Sequence, residues 1–356
     1  MTTAATTPPV TGGVVAVHAH PDDETLTSGA LLATWAAAGL PALVVTCTRG
    51  ERGEVIGAEL AHLEGDGPAL AAHRERELAR AVAALGADQV FLDTLPLPPA
   101  SAPPVEVAAG AGFGPEPRTC CTLVVRDARY EDSGMAWVGT GRAGAAAALP
   151  DRAFVGVALD DEAAGRLAGL LLDRRPDLVV TYEPGGGYGH PDHVRAHEVT
   201  MRAVELARAA DADGWRPAVA WAVQDPDALR AGYAALAEDP VVRAVLAAHA
   251  GADPATRSGP LVLPDPDGPL PSVAAAGRPD LVVDVVPVRD RLLGALRAHA
   301  TQVQAVRPLD HPAAAACLAL SNLVLAPVLP HEGYRWAPGG APAAGLRVPP
   351  GVTRRS

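Results

Sequence analysis

From Val14 to Leu92 the chain alternates short apolar runs with amphipathic stretches, and few folds accommodate that rhythm. Val14–Val17 has the pattern of a buried strand, Leu26–Ala38 of a helix closed by Gly39, and Ala42–Thr46 of a second strand. His73–Leu85 reads as a charged amphipathic helix ending at Gly86, and Gln89–Leu92 as a third strand. Short strand–helix–strand–helix–strand links predict a parallel sheet covered on both faces. Asp160–Asp173 and Val194–Ala209 read as helices around a strand at Asp177–Tyr182; Asp280–Val285 then reads as a strand and Val288–Ala300 as a helix. The expected class is α/β: a Rossmann-like, mostly parallel sheet with helices on both faces, plus a C-terminal α/β extension. One domain spans 1–356 in this reading. Its core is 1–210, with an irregular insertion at about 94–150, and 211–340 forms a C-terminal, substrate-side portion. Residues 94–118 are rich in Pro, Ala and Gly, 210–280 patterns weakly, and the tail after Tyr334 is expected to fray.

Charge narrows the function classes. The 356 residues carry 29 basic side chains, all Arg, against 41 acidic ones, for a net charge of -12. Such a surface repels nucleic-acid phosphates and anionic lipid, so neither partner is expected. Met1–Thr11 lacks the basic and apolar regions of a signal peptide, and no apolar run approaches a membrane span. A soluble cytoplasmic protein is the expectation. Cys47, Cys120, Cys121 and Cys317 form no C-x-x-C pair, so they read as free thiols rather than a structural metal site.

Two loops carry the chemistry, each just after an expected strand: His18-Ala-His-Pro-Asp-Asp-Glu24 and Gly185-Gly-Gly-Tyr-Gly-His-Pro-Asp-His193. Ligands collect at the carboxyl ends of the strands in an open parallel sheet, so the two loops can meet at one rim. His20, Asp23 and His193 would then supply two imidazoles and a carboxylate, a ligand set suited to a catalytic zinc with one open position. Asp22, beside a ligand, is the candidate general base. His190 and Tyr188 can stabilise an oxyanion, with flanking glycines leaving the tyrosine room to move, and Asp192 can orient an imidazole. Each loop alone also reads as something plainer. The first suits a helix start with acids at its positive end, and the second a polar turn opening the next helix.

These residues resemble the LmbE/PIG-L family of zinc-dependent N-acetylglucosaminyl deacetylases, whose A-H-P-D-D-E signature stands at Ala19–Glu24 and whose H-P-D-H stands at His190–His193. Val45–Thr48, Gly53–Gly57, Asp132-Ser-Gly-Met135, Gly186–His193, His299–Val303 and Leu320–Asn322 extend the likeness over most of the chain. They point to the branch acting on an N-acetylated glucosaminyl-inositol in mycothiol biosynthesis. The resemblance implies an LmbE-like fold, a small-molecule amino sugar–inositol substrate and one Zn2+ per subunit on His20, Asp23 and His193; the same ligands suit Fe2+. It places the base on Asp22, the electrostatic stabiliser on His190 and the mobile tyrosine on Tyr188. Substrate contacts fall on Arg74, Asp132, Glu54, Met135 and Gln302. Plainer readings stand beside these: an ion pair of Arg74 with Glu75 or Glu77, a turn at Asp132, core filling by Met135, and solvated Glu54 and Gln302.

A mycothiol S-conjugate amidase is the runner-up, but its relatives carry Pro before the distal motif and D-S-G-L-P, where this chain has Gly189 and Met135. A non-catalytic glycan- or metal-binding module would not need Asp22. A nucleotide-binding oxidoreductase would need a glycine fingerprint where His18–Glu24 stands. The sequence carries no signal for an oligomeric state.

Overall fold

A computed structural model describes residues 12–97, 129–139, 142–274, 277–342, 346 and 348–355. Cys120, Cys121, Met1–Thr11 and most of the Pro-rich stretch lie outside these residues. The N-terminal half runs β1 (Val14–His18), α1 (Asp23–Ala37), β2 (Ala42–Thr46), α2 (Gly67–Leu85), β3 (Asp88–Phe91), a hairpin of β4 (Met135–Gly139) and β5 (Arg142–Ala145), α3 (Ala164–Arg174) and β6 (Leu178–Tyr182). A one-turn element α4 (Gly186–Gly189) leads into α5 (Pro191–Ala210) and β7 (Ala218–Val223). There follow α6 (Pro226–Glu238), α7 (Pro240–His249), β8 (Leu281–Asp284), α8 (Arg289–Ala298), β9 (Gln304–His311), β10 (Ala314–Ala319), β11 (Leu325–Val328), β12 (His331–Trp336) and β13 (Val352–Arg354).

The main sheet has the order β13-β8-β12-β7-β6-β1-β2-β3. Pairing from β7 through β6, β1 and β2 to β3 is parallel, and β12 and β13 run antiparallel to their neighbours. The mostly parallel α/β sheet expected from the sequence is therefore present. Alternate residues of β1 serve opposite layers: Val14 and Ala16 join Leu31, Leu78, Leu85 and Leu292 from α1, α2 and α8. Val15 and Val17 join Leu167, Leu171 and Val199 from α3 and α5 on the other face. Each fully buried Leu or Val contributes about 1.5–3 kcal/mol, so both faces drive the same register. A second, antiparallel sheet, β11-β10-β9, packs with α6 and α7 around Leu236, Val242, Leu309 and Leu325.

Several elements differ from expectation. The second helix begins at Gly67, where Asp66 accepts from Ala69 N, a full turn and more before His73. Beyond residue 210, β7, β8, β12 and β13 extend the main sheet, while β9–β11 form the second one. The tail does not simply fray: Val352–Arg354 pairs with β8 at the sheet edge. Helix α1 is broken at Ser28 (φ -137°, ψ 15°), and the amides just past the break, on Ala30 and Leu31, are taken up by Glu332 of β12 at 2.6 and 2.8 Å. Of the cysteines, Cys47 and Cys317 are buried free thiols. No helix among the described residues is long and apolar enough to cross a membrane.

Candidate metal centre and active site

Successive strands step outward in opposite senses from β1 and β6, which are adjacent and parallel, so a crevice opens beyond their carboxyl ends. His20–Asp23 follows β1 and Gly185–His193 follows β6, and the two loops meet there. Tyr182, the last residue of β6, ties them together. Its hydroxyl accepts from Ala19 N at 3.0 Å, and its ring stacks on His193 with centroids 4.3 Å apart.

The buried Asp23 Oδ2 lies 3.2 Å from His20 Nδ1 and 3.2 Å from His193 Nε2. Two ligand atoms on a tetrahedral zinc, each about 2.0 Å from the ion, stand about 3.3 Å apart. His193 Nε2 is buried and makes no hydrogen bond, while its Nδ1 lies 3.2 Å from the Gly186 carbonyl. A backbone carbonyl can only accept, so Nδ1 carries the proton and Nε2 presents its lone pair. Gly186 has φ 66°, and a Cβ there would come within 2.8 Å of Val194 N, so glycine is what lets that carbonyl reach the ring. On His20 the other nitrogen, Nε2, lies 3.2 Å from Asp192 Oδ2, an oxygen that also accepts from Ser133 N at 2.9 Å. This carboxylate–histidine pairing leaves His20 Nδ1 facing Asp23. The donor set thus fits a divalent cation.

His190 is a third imidazole in the cluster, its ring centroid 4.6 Å from that of His20 and 4.9 Å from that of His193. Nitrogens of these three rings lie within 4.8 Å of one another, as do donor atoms of His20, Asp132 and Asp192. His190 is the N-cap of α5, its Nδ1 accepting from Asp192 N at 3.1 Å. The neutral ring therefore carries its proton on Nε2. Burial, with His20 and His193 alongside, holds its pKa well below the usual histidine value, which favours a neutral ring that can donate through Nε2–H. Burial opposes a charge on His20 as well, but Asp132, Asp192 and Asp23 around it win and hold its pKa well above the ordinary value. Asp23 is held well below the carboxylate range, against burial, by His193 and His20. Such a cluster calls for positive charge.

Asp22 opens α1 as its N-cap residue but makes no side-chain cap bond. Its φ of 116° is uncommon outside glycine and costs about 1–3 kcal/mol, so neighbours must hold it. With these side chains alone, burial pushes its carboxyl up to about 7, although Arg74 pulls the other way. Arg74 is buried, not a surface partner of Glu75 or Glu77. Its guanidinium donates to the carbonyls of Pro21 and Gly50, the latter at 2.9 Å, and lies 3.4 Å from Asp22 Oδ1. Gly50, at φ 67°, makes room for it, since a Cβ there would overlap the guanidinium.

Tyr188 sits in α4 between positive-φ glycines, its ring 5.1 Å from that of His193, edge-on. Burial and the carboxylates of Asp23 and Asp22 raise its pKa well above 10, keeping the phenol a donor. His20, Asp22, Asp23, His193, Tyr188 and His190 open on a cavity of about 1100 Å³. All five expected substrate residues line it too: Arg74, Asp132, Glu54, Met135 and Gln302. Asp132 is a turn residue, its Oδ1 accepting from Gly134 N at 2.7 Å, and the same oxygen also lies 3.7 Å from His20 Nε2. Glu54 pairs with Arg257 at 3.1 Å, and Gln302 Nε2 donates to the Glu54 carbonyl at 2.9 Å.

The family model for PIG-L, described as GlcNAc-PI de-N-acetylase, matches residues 15–204. The chain belongs to the PIG-L family. Curated relatives run its length. One from Kineococcus radiotolerans, a 1D-myo-inositol 2-acetamido-2-deoxy-alpha-D-glucopyranoside deacetylase, is 42% identical over 332 residues, 92% of this chain and 78% of the relative. A Nocardia farcinica protein of the same name is 41% identical, with 91% and 89% covered. Among solved structures, the N,N'-diacetylchitobiose deacetylase of Pyrococcus horikoshii aligns with a TM-score of 0.36 at 17% identity, over 59% of each chain.

For this PIG-L chain the site contains residues that motif reasoning passed over. Arg52 and Arg142 line the cavity, as do Gln224 and Glu332. Arg52 N donates to Asp132 Oδ2 at 3.3 Å. Arg52 stands next to the G-E-V-I-G segment, a readable signal; Gln224 directly follows β7 and Glu332 lies in β12, in stretches whose patterning gave no hint of a pocket.

Proposed function

We propose that this PIG-L protein is a metal-dependent hydrolase that removes the acetyl group from 1D-myo-inositol 2-acetamido-2-deoxy-α-D-glucopyranoside. One water is consumed, the amide C–N bond breaks, and acetate and the free amino sugar–inositol leave. The single observation behind the reading is Asp23 Oδ2, set 3.2 Å from an imidazole nitrogen of each motif loop, with the spare carboxylate of Asp22 next to it. Two relatives of that name matching about nine-tenths of the chain supply the substrate.

In this reading His20, Asp23 and His193 hold the ion, with Zn2+ preferred and Fe2+ also suited to the donor set. A divalent ion there supplies Lewis-acid polarisation of the amide carbonyl and acidifies the attacking water. Asp22, raised towards neutrality, takes the proton from that water and delivers it to the departing amine. The Tyr188 hydroxyl and the His190 Nε2–H donate to the oxygen that gains charge as the carbonyl carbon becomes tetrahedral. Asp192 keeps His20 in its ligand orientation. Arg74, Glu54, Asp132, Met135 and Gln302 line the volume assigned to the sugar–inositol.

The test is an assay of purified protein with the acetylated glucosaminyl-inositol and, separately, with a mycothiol conjugate, with metal content measured in the same preparation. Acetate release from the first at a higher kcat/KM than cleavage of the second supports the reading. The reverse preference would make the chain a conjugate amidase, and inactivity on both with metal bound would leave a binding module.

A further inference from the structure

A buried polar chain runs from the C-terminal half of the molecule to the main chain of Asp22. Glu24, fully buried, accepts the Asp22 N–H on Oε2 at 2.9 Å. Its other oxygen, Oε1, accepts from His299 Nε2 at 2.8 Å and from Thr25 Oγ1 at 2.5 Å. His299 is itself fully buried at the C-terminal end of α8, and its Nδ1 has no partner, so the bond to Glu24 is what fixes the ring. Two residues on, Thr301 donates through N and Oγ1 to Glu77 at 2.9 and 2.6 Å. Glu77 is on α2, one turn after Arg74.

These contacts converge on one residue. Asp22 has a backbone that its side chain disfavours, at φ 116°, and that backbone sets the direction of a carboxylate lining the same cavity as His20, Asp23 and His193. Its amide is held by Glu24 and its carboxylate and the preceding carbonyl by Arg74; His299 anchors Glu24, while Thr301 bonds Glu77, one turn past Arg74 on the same helix. Neither Glu24 nor His299 lines the cavity. We infer that Glu24 and His299 are positioning residues that aim the Asp22 carboxylate, acting on the reaction through it alone. The inference rests on Asp22 being the base.

A double-mutant cycle on the metal-loaded full chain separates the two claims. Glu24→Ala lowers kcat about 100-fold with KM and bound metal unchanged, because only the alignment of the base is lost. Glu24→Gln, which keeps an oxygen for the Asp22 N–H, restores kcat to within about tenfold of the wild type. In an Asp22→Asn background, which lacks the base, Glu24→Ala costs less than about threefold. If Glu24→Ala does not fold, His299→Leu takes its place in the same cycle, with the same lack of additivity expected. Losses that multiply in the double variant, or that follow metal loss, overturn the positioning role and leave Asp22 as the base. An Asp22→Asn enzyme that retains wild-type kcat overturns the base assignment and this inference with it.

Discussion

His193 Nε2 stands 3.2 Å from Asp23 Oδ2 without forming a hydrogen bond to it, while the opposite nitrogen of the same ring is engaged by the Gly186 carbonyl. A buried lone pair left unmatched costs about 1–3 kcal/mol, and a cation between the two atoms removes that cost. His193→Ala deletes the imidazole and leaves Asp23 with His20 alone. Metal affinity should fall at least about 100-fold, read as metal per chain after dialysis against a graded chelator. Metal content equal to the wild type across that series would break the ligand set.

Asp192 offers a gentler perturbation of the same centre. Its Oδ2 serves both His20 Nε2 and Ser133 N. Asp192→Asn keeps the shape but withdraws the charge that steadies the ring. Metal affinity or kcat/KM should drop about 10–100-fold with the fold intact by circular dichroism. A variant indistinguishable from the wild type in both would show that His20 is oriented by other means.

How far the sequence led to this centre depended on the range of the signals. Both motif loops, their placement after β1 and β6, and the candidate donors each contributes were legible because each sits inside a short, chemically dense segment. The plainer readings turned out compatible with them: Asp22 and His190 do start helices. Asp225-Pro226 and Asp239-Pro240 were readable helix starts inside the weakly patterned region, since Asp at the N-cap and Pro at the first position carry a local mechanism. What the sequence hid is long-range. The bond from Glu332 to Ala30 and Leu31 and that from His299 to Glu24 each join residues about 300 or 275 positions apart, and no local pattern announces them. β9 escaped notice because Arg307, Pro308 and Asp310 break the apolar alternation, leaving only Val306 and Leu309 buried, each in a different core.

Tyr188 is the one expected oxyanion donor carried on a glycine-flanked turn. Tyr188→Phe keeps the ring against His193 and removes only the hydroxyl. If the phenol donates to the developing oxyanion, kcat should fall about 10–1000-fold while bound metal is unchanged and KM moves little. A rise in KM at constant kcat would reassign the hydroxyl to ground-state substrate binding.

Glu332 sets a pH dependence of stability that is separate from the candidate metal ligands. Its two oxygens cap the amides of Ala30 and Leu31 past the break in α1, and Oε2 also accepts from the Tyr334 hydroxyl at 2.9 Å. Burial outweighs those donors and pushes its carboxyl from 4.5 up to about 7. The folded chain therefore binds this proton more tightly than the unfolded chain does. Between pH 4.5 and about 7 the native state carries more of it, so stability falls as pH rises through that window, by up to about 3 kcal/mol, and is level on either side. Glu332→Gln abolishes the titration. Its amide group must face a backbone N–H, so the variant starts weaker at low pH by about 1–3 kcal/mol. Urea midpoints measured from pH 4.5 to 8 should show the gap between wild type and variant narrowing as pH rises, because only the wild type loses its proton. A gap that stays constant over that range would mean Glu332 is ionised throughout, and that the amides it caps hold it as a carboxylate despite its burial.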